Sequence, residues 1–81
     1  MTISAAQVRG ARAMLNMTQA ELAEASGIQR LAMVKFENED SSPHETTLAK
    51  IEAALEGRGI VFIETEAGAG VILRRCIAMV D

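Results

Sequence analysis

The sequence predicts a mainly α-helical domain of four to five short helices, followed by a C-terminal β-hairpin. Apolar residues recur at helical spacing through most of the 81-residue chain. Ser or Thr precedes two of these stretches at the spacing of a helix cap. The last part of the chain is instead rich in β-branched residues between glycines, which is typical of short strands.

The first helix is marked by a capping box. Ser4 is followed three residues later by Gln7, so that each side chain can bond the other residue's free backbone N–H. Apolar residues then recur at the spacing of one helix face, which predicts a helix over residues 5–15. Its predicted buried residues are Val8, Ala11 and Leu15.

A second capping box, formed by Thr18 and Glu21, opens the second helix at Gln19. Leu22 and Ala25 are predicted to lie on its inner side. The pair Ser26 and Gly27 ends it, because glycine readily adopts the left-handed backbone of a tight turn.

A third helix follows almost at once, in the apolar stretch of residues 28–36. Two short helices joined so tightly must cross at a steep angle. Ala23 is small where the two helices approach, and three apolar side chains lock the third helix onto the second: Ile28, Met33 and Phe36. The residues between them are predicted to face outward: Gln29, Arg30, Leu31, Val34 and Lys35.

A fourth helix and two strands complete the chain. The helix is predicted over residues 47–56, with glycines ending it and one apolar stripe made of Leu48, Ile51 and Leu55. Residues 60–63 and 71–73 are predicted strands, the second resuming through 76–78, with a turn at 67–70. Because an isolated hairpin is marginal in water, this one must pack on the helices or pair with another chain.

Composition narrows the class of protein. Aromatic residues make up 2% of the chain, so the core must be aliphatic, which suits closely packed helices. No apolar run approaches a membrane span of about 20 residues, and no signal-peptide pattern is present. A single cysteine, Cys76, cannot form an internal disulfide and fits a reducing compartment. We therefore expect a cytoplasmic protein without membrane association.

Charge is distributed unevenly. The formal net charge of −3 disfavours nucleic-acid binding in general, since such proteins usually present a basic face. Four cations nevertheless lie in the first half of the chain: Arg9, Arg12, Arg30 and Lys35. Four carboxylates lie in the second half: Glu52, Glu56, Glu64 and Glu66. An acidic protein with this distribution can still carry a basic face.

Two stretches resemble the best-marked parts of the Cro and phage-repressor family of helix-turn-helix proteins, the XRE family. They are residues 15–23 (LNMTQAELA) and 36–38 (FEN). The helical resemblance covers residues 5–56, and the tail (GIVFIE at 59–64, GVILR at 70–74) is similar to that of short bacterial members. The resemblance implies a lambda-repressor-like bundle, with a helix-turn-helix DNA-binding domain over 1–57 and a dimerisation hairpin of the same domain over 58–81.

The resemblance also implies roles for individual residues. Thr18 and Gln19 would lie at a DNA phosphate, where the second helix begins and its dipole favours an anion. The recognition helix would place five residues in the major groove: Gln29, Arg30, Leu31, Val34 and Lys35. Arg reads guanine and Gln reads adenine, whereas Leu31 or Val34 could contact a thymine methyl or pack on a neighbouring helix or protomer. Arg9 could touch the DNA backbone or be a plain surface charge.

Three further interpretations complete the predicted site. Arg12 and Glu37 match a family ion pair that ties the first helix to the end of the recognition helix. Family members usually carry glycine at the position of Glu39, so residues 37–40 (ENED) are unusually acidic beside the expected phosphate path. The hairpin residues predicted to contact a second protomer are Ile60, Val61, Phe62, Ile63, Val71, Ile72 and Leu73.

These observations predict a homodimeric repressor that binds a two-fold symmetric operator in double-stranded DNA, with half-sites about 34 Å apart or a multiple of that. The chain lacks a Gly-rich phosphate loop, a Cys-His cluster and a catalytic triad, so we expect no enzyme activity, cofactor or metal. One alternative is an antitoxin-like interaction module whose apolar tail binds a toxin-like or other protein. Another is a helix-turn-helix that has lost DNA binding, which the acidic stretch would favour.

Overall fold

The computed structural model describes residues 3–74 and confirms the predicted fold class. Within those residues the chain forms four helices and one antiparallel hairpin. The elements are α1 (Ala5–Leu15), α2 (Gln19–Ser26), α3 (Arg30–Glu37), α4 (Glu45–Glu56), β1 (Ile60–Thr65) and β2 (Gly68–Leu73). Cys76 and the predicted strand continuation at 76–78 lie outside the described residues, as does the end of the predicted 58–81 unit.

Both predicted capping boxes are present, so α1 and α2 begin where the sequence indicated. Gln7 N–H donates to Ser4 Oγ (3.2 Å) and Ser4 N–H donates to Gln7 Oε1 (2.9 Å). Glu21 N–H donates to Thr18 Oγ1 (3.0 Å), and Thr18 N–H donates to Glu21 Oε1 (2.8 Å). Each box satisfies two backbone donors that the helix itself cannot bond.

The other two helices begin two residues away from their predicted starts. The backbone of Gln29 is extended (φ −65°, ψ 142°), so α3 begins at Arg30, and Ile28 belongs to the turn. The backbone of His44 is also extended (φ −65°, ψ 158°), and α4 therefore begins at Glu45. Neither residue caps its helix with its side chain, so the sequence carries no capping signal at these starts.

An aliphatic core, with one phenylalanine from each of α3 and β1, joins the helices to the hairpin. Its main contributors are Val8, Ala11, Leu22, Ala23, Met33, Phe36, Ile51, Leu55, Ile60 and Phe62. The prediction that Ala25 faces inward is wrong, because α2 buries Ser26 in that place and leaves Ala25 exposed. Ser26 lies one turn after Leu22 and is tolerated in the core because its hydroxyl donates to Leu22 O (2.7 Å).

The hairpin has longer strands and a tighter turn than the sequence predicted. Its register runs from Ile60 opposite Leu73 to Thr65 opposite Gly68, which leaves a turn of residues 66–67. The predicted turn at 67–70 is wrong in extent, since Gly68 and Gly70 belong to β2. The hydroxyl of Thr65 closes the turn by accepting from Ala67 N–H (3.1 Å) and donating to Gly68 O (3.2 Å).

The hairpin packs on the helices, mainly on α1. The side chain of Gln7, which is 4% exposed, donates from Nε2 to Ile63 O (3.2 Å) and to Gly70 O (2.9 Å). One turn further along α1, Gly10 allows close approach, since a Cβ there would lie 3.5 Å from Val71 Cγ2. The first helix thus binds both strands of the hairpin through hydrogen bonds to their backbone and through close packing.

Candidate nucleic-acid interface

The turn between α2 and α3 fixes the direction of the helix that was predicted to read DNA. Gly27 adopts a left-handed backbone (φ 73°), and Ile28 N–H then donates to Ala23 O (2.9 Å), as in a helix C-cap. Ala23 is buried where α3 crosses. Met33 and Phe36 enter the core from α3, and its remaining face is therefore turned outward.

The outward face of α3 carries the predicted recognition residues. Gln29, Arg30, Leu31 and Lys35 are exposed, and Val34 is partly buried. The two ion pairs found within residues 3–74 involve Arg9 and Arg12. Neither Arg30 nor Lys35 is therefore neutralised by a carboxylate in that part of the chain, and both cations can meet a polyanion.

At the start of α2, two predicted phosphate contacts are partly engaged within the chain. Gln19 Nε2 donates to Glu37 Oε1 (3.1 Å), so its side chain is turned towards the protein. The N–H of Glu21 is taken by Thr18, so the N–H groups of Gln19 and Ala20 are the ones of the first helical turn that are suited to an anion. The hydroxyl of Thr18 accepts from Glu21 N–H, which leaves its own hydrogen for another acceptor.

Arg9 lies on the C-terminus of α3. Its guanidinium donates to Glu37 O, and its Nη1 lies 3.6 Å from Glu39 Oε2 in an exposed ion pair. A cation at this position is favoured by the helix dipole. A contact between Arg9 and the DNA backbone stays a prediction.

The ion pair predicted between Arg12 and Glu37 is present in the structure. Arg12 Nε donates to Glu37 Oε2 and Nη2 donates to Oε1, both at 2.7 Å, while Nη1 donates to Met17 O (2.9 Å). Glu37 is 1% exposed and also accepts from Gln19. One buried carboxylate thus joins α1, the start of α2 and the end of α3, and it holds α3 relative to the start of α2.

Most of the negative charge of the acidic stretch at residues 37–40 is paired within the chain. Glu37 is buried against Arg12, and Glu39 is paired with Arg9. Glu39 has a left-handed backbone (φ 62°), a conformation that glycine adopts more easily than other residues. Two of the three carboxylates of this stretch are therefore matched by arginines of α1.

The start of α4 lies beside the outward face of α3, and the sequence did not indicate this neighbourhood. An open groove of about 500 Å³ lies between the two helices. Its α3 side includes Leu31, Ala32 and Lys35, and its α4 side includes Pro43, His44 and Thr47. Because these residues lie far apart in sequence, only the bundle geometry brings them together.

One titratable group outside the recognition face has a shifted pKa. Burial raises the pKa of Glu52, and the charge and hydrogen bond of Glu56, one turn later on α4, raise it further. The ionised form of Glu52 is therefore disfavoured in the folded protein. Its contribution to stability is present at acid pH and is lost as the pH rises through the raised pKa.

Residues 3–74 contain no group of three or more His, Cys, Asp or Glu side chains arranged to hold a metal ion. In the same part of the chain, none of the helices has both the length and the apolar character needed to cross a membrane.

A family model described as helix-turn-helix matches residues 8–60. The matched region is more than half of the chain and runs from within α1 to the first residue of β1. It includes α2, the turn and the whole outward face of α3. No curated protein matches the chain.

Proposed function

The chain belongs to the Cro/C1-type helix-turn-helix (XRE) family of DNA-binding regulators, and on this premise we propose that it represses transcription as a homodimer on a two-fold symmetric operator. Each protomer contributes one recognition helix, α3, to one half-site. A dimer bound in this way covers the duplex over both half-sites, which suffices to exclude other proteins from an overlapping promoter.

The observation that carries this proposal is the exposed face of α3. Arg30 is its first residue, and Lys35 lies about 7.5 Å further along the helix axis. An arginine at the start of such a helix can donate two hydrogen bonds to guanine O6 and N7. A lysine further along lies closer to the DNA backbone and adds affinity without selecting a base.

This division of roles predicts different defects for two variants. Arg30→Ala should cost about 1–3 kcal/mol on the operator and relax the preference at one base pair per half-site. Lys35→Ala should weaken binding to all sequences and reduce the salt slope by about one for each phosphate that is no longer neutralised. The measurement is a competition titration against duplexes selected from random DNA and against scrambled duplexes, at two salt concentrations.

Lys50→Ala is the matched control, because Lys50 is an exposed lysine of α4 outside the recognition face. It should bind like the unmodified protein. If random DNA yields no enriched sequence, or if Arg30→Ala and Lys35→Ala both keep full affinity for the enriched duplex, this face of α3 does not read DNA.

The homodimer part of the proposal is supported by the outer face of the hairpin. Val61 and Ile72 lie opposite each other in the ladder and are exposed, beside the partly buried Ile63. We call these three residues the outer stripe. Ile60 and Phe62 are buried in their own chain, and Val71 packs against that core. These predicted dimer residues therefore expose less apolar surface to a second protomer. Leu73 is exposed at the end of β2, but it lies opposite the buried Ile60 and is therefore on the other face of the hairpin from the outer stripe.

Pairing through the outer stripe predicts that one charge there separates the protomers. The unmodified chain should be a dimer at tens of micromolar, roughly the range in which weak pairing is visible. Ile72→Lys should be monomeric by light scattering and should bind the operator more weakly, because a monomer engages one half-site at a time. Met14→Lys is the matched control, since Met14 of α1 is 47% exposed and Ile72 is 48% exposed.

A dimer that survives Ile72→Lys would rule out the outer stripe as the contact. A full-length protein that is monomeric under the same conditions would contradict the homodimer itself. In that case the exposed apolar stripe would favour the second candidate function, an antitoxin-like module that binds another protein through its tail.

A further inference from the structure

Leu31 is exposed in a way that the fold does not require. It is 64% exposed, more than any other large hydrophobic side chain of the described residues. Met33 and Phe36 supply the core contacts of α3, so Leu31 is not needed to hold the helix in place. It is the second residue of α3 and lies next to Arg30 in the helical turn that would enter the major groove most deeply.

The surface around Leu31 is mainly carbon, although polar side chains (Gln29, Ser41, His44 and Thr47) also line the adjoining groove. Leu31 borders the groove between α3 and α4, where Ile28, Ala32, Phe36 and Pro43 also contribute carbon surface. Lys35 is the one lysine or arginine among the residues that line it, and none of them is a carboxylate. A base edge placed against Leu31 would therefore meet mainly carbon.

The major-groove edges of the bases differ in what they offer such a surface. Ring nitrogens, carbonyl oxygens and amino groups would lose water against leucine without gaining a hydrogen bond. The C5-methyl group of a pyrimidine is the apolar feature of these edges, and it would be buried favourably. Thymine carries this methyl group, and so does 5-methylcytosine.

We propose that Leu31 is a specificity-determining residue that selects duplexes with a C5-methyl pyrimidine at one position of each half-site. The proposal rests on the proposed function, because it requires α3 to lie in the major groove. Removing the methyl group should weaken binding about fourfold per half-site, which is the effect of exposing one buried CH₂-sized group.

The test uses duplexes selected from random DNA by the full-length protein and then resynthesised in three forms. One form keeps thymine, one replaces every thymine by deoxyuridine, and one replaces every cytosine by 5-methylcytosine. Uracil lacks only the methyl group and pairs in the same way. Binding of the unmodified protein, of Leu31→Ala and of Met14→Ala is then measured on all three pools, Met14 being an exposed hydrophobic residue of α1.

We expect the unmodified protein and Met14→Ala to lose affinity on the uridine pool, or to gain affinity on the 5-methylcytosine pool, and Leu31→Ala to show neither response. The first response identifies thymine as the source of the methyl group, and the second identifies methylated cytosine. Equal affinity of the unmodified protein for all three pools would overturn the proposal, as would a response that persists in Leu31→Ala. Failure to enrich any duplex would instead contradict DNA reading by the protein.

Discussion

Replacing Arg12 by alanine should cost about 3–5 kcal/mol of folding free energy, because it leaves Glu37 charged and buried without its partner. Glu37 is 1% exposed and accepts two hydrogen bonds from Arg12 at 2.7 Å. Gln19, at 3.1 Å, supplies one remaining donor and no charge. For a domain of this size, a loss of that order lowers the melting temperature by well over 10 °C.

The reverse substitution should cost less. In Glu37→Ala, the Arg12 side chain remains 19% exposed and keeps its hydrogen bond to Met17 O. Its charge can therefore be partly solvated, whereas that of Glu37 cannot. The double variant should lose less stability than the two single variants add up to, because neither charge is then left without its partner.

The exposed ion pair of Arg9 and Glu39 is the matched control for this double-mutant cycle. It has the same chemistry, but its atoms lie 3.6 Å apart and both side chains are well solvated. Its coupling energy should fall within about 0–1 kcal/mol. Chemical denaturation of both cycles is the measurement, and strict additivity for Arg12 and Glu37 would show that the buried pair makes no net contribution as a pair.

Loss of the ion pair between Arg12 and Glu37 should also weaken DNA binding by the proposed face. Glu37 is the last residue of α3, and its carboxylate bonds both Arg12 of α1 and Gln19 at the start of α2. The helix that would read bases and the helix start that would meet a phosphate are thus held by the same group. A change in their relative position would affect specificity and affinity together.

Local signals in the sequence predicted the beginnings of α1 and α2, because a capping box is made by residues three positions apart. Another local signal, the spacing of apolar residues, was misleading at Ile28. Its hydrophobic side chain packs on the core from the turn and not from a helix. Gly68 and Gly70 were interpreted as a turn, yet they pair with Thr65 and Ile63 in the ladder. In these places tertiary contacts, which no local pattern reports, decided the structure.

The outward face of α3 was predictable for a similar reason. Once Gly27 fixes the turn and Met33 and Phe36 fix the inner face, the intervening residues must point outward. The groove beside Leu31 was not predictable, since one side of it comes from the start of α4 and the residues just before it. Nor could the sequence show that Arg9 lies on Glu39, because that contact depends on how α1 meets the end of α3.

Gln7 is the residue whose importance the sequence conceals most. As a capping residue it accepts from Ser4 N–H, but its amide nitrogen also donates to backbone carbonyls of Ile63 and Gly70. Backbone carbonyls leave no signature in a sequence, and these lie 56 and 63 positions away. The structure therefore shows a single side chain that both caps α1 and attaches the hairpin.

Gln7→Glu should destabilise the protein by at least about 3 kcal/mol at neutral pH. The substitution keeps the shape of the side chain but replaces the NH₂ group, which donates twice, by an oxygen that faces two carbonyl oxygens. Both carbonyls keep their donors in the hairpin ladder, so each lost hydrogen bond from Gln7 costs about 0.5–1.5 kcal/mol. The larger cost is that of a buried charge without a partner, about 3–5 kcal/mol. The measurement is the melting temperature of the variant between pH 7 and pH 4.

The pH dependence separates this mechanism from a mere packing defect. In the folded variant, the surrounding carbonyls and burial hold the pKa of the introduced carboxyl above its usual range. Its protonated form can donate one hydrogen bond, so the variant should regain stability at acid pH and lose it as the pH rises through that raised pKa.

Gln7→Leu removes the same hydrogen bonds without adding a charge and should show no such recovery. Gln29→Glu places the same substitution on an exposed residue with no side-chain capping bond and should change stability little at either pH. If Gln7→Glu matched Gln29→Glu in melting temperature, Gln7 would not be what attaches the hairpin to α1.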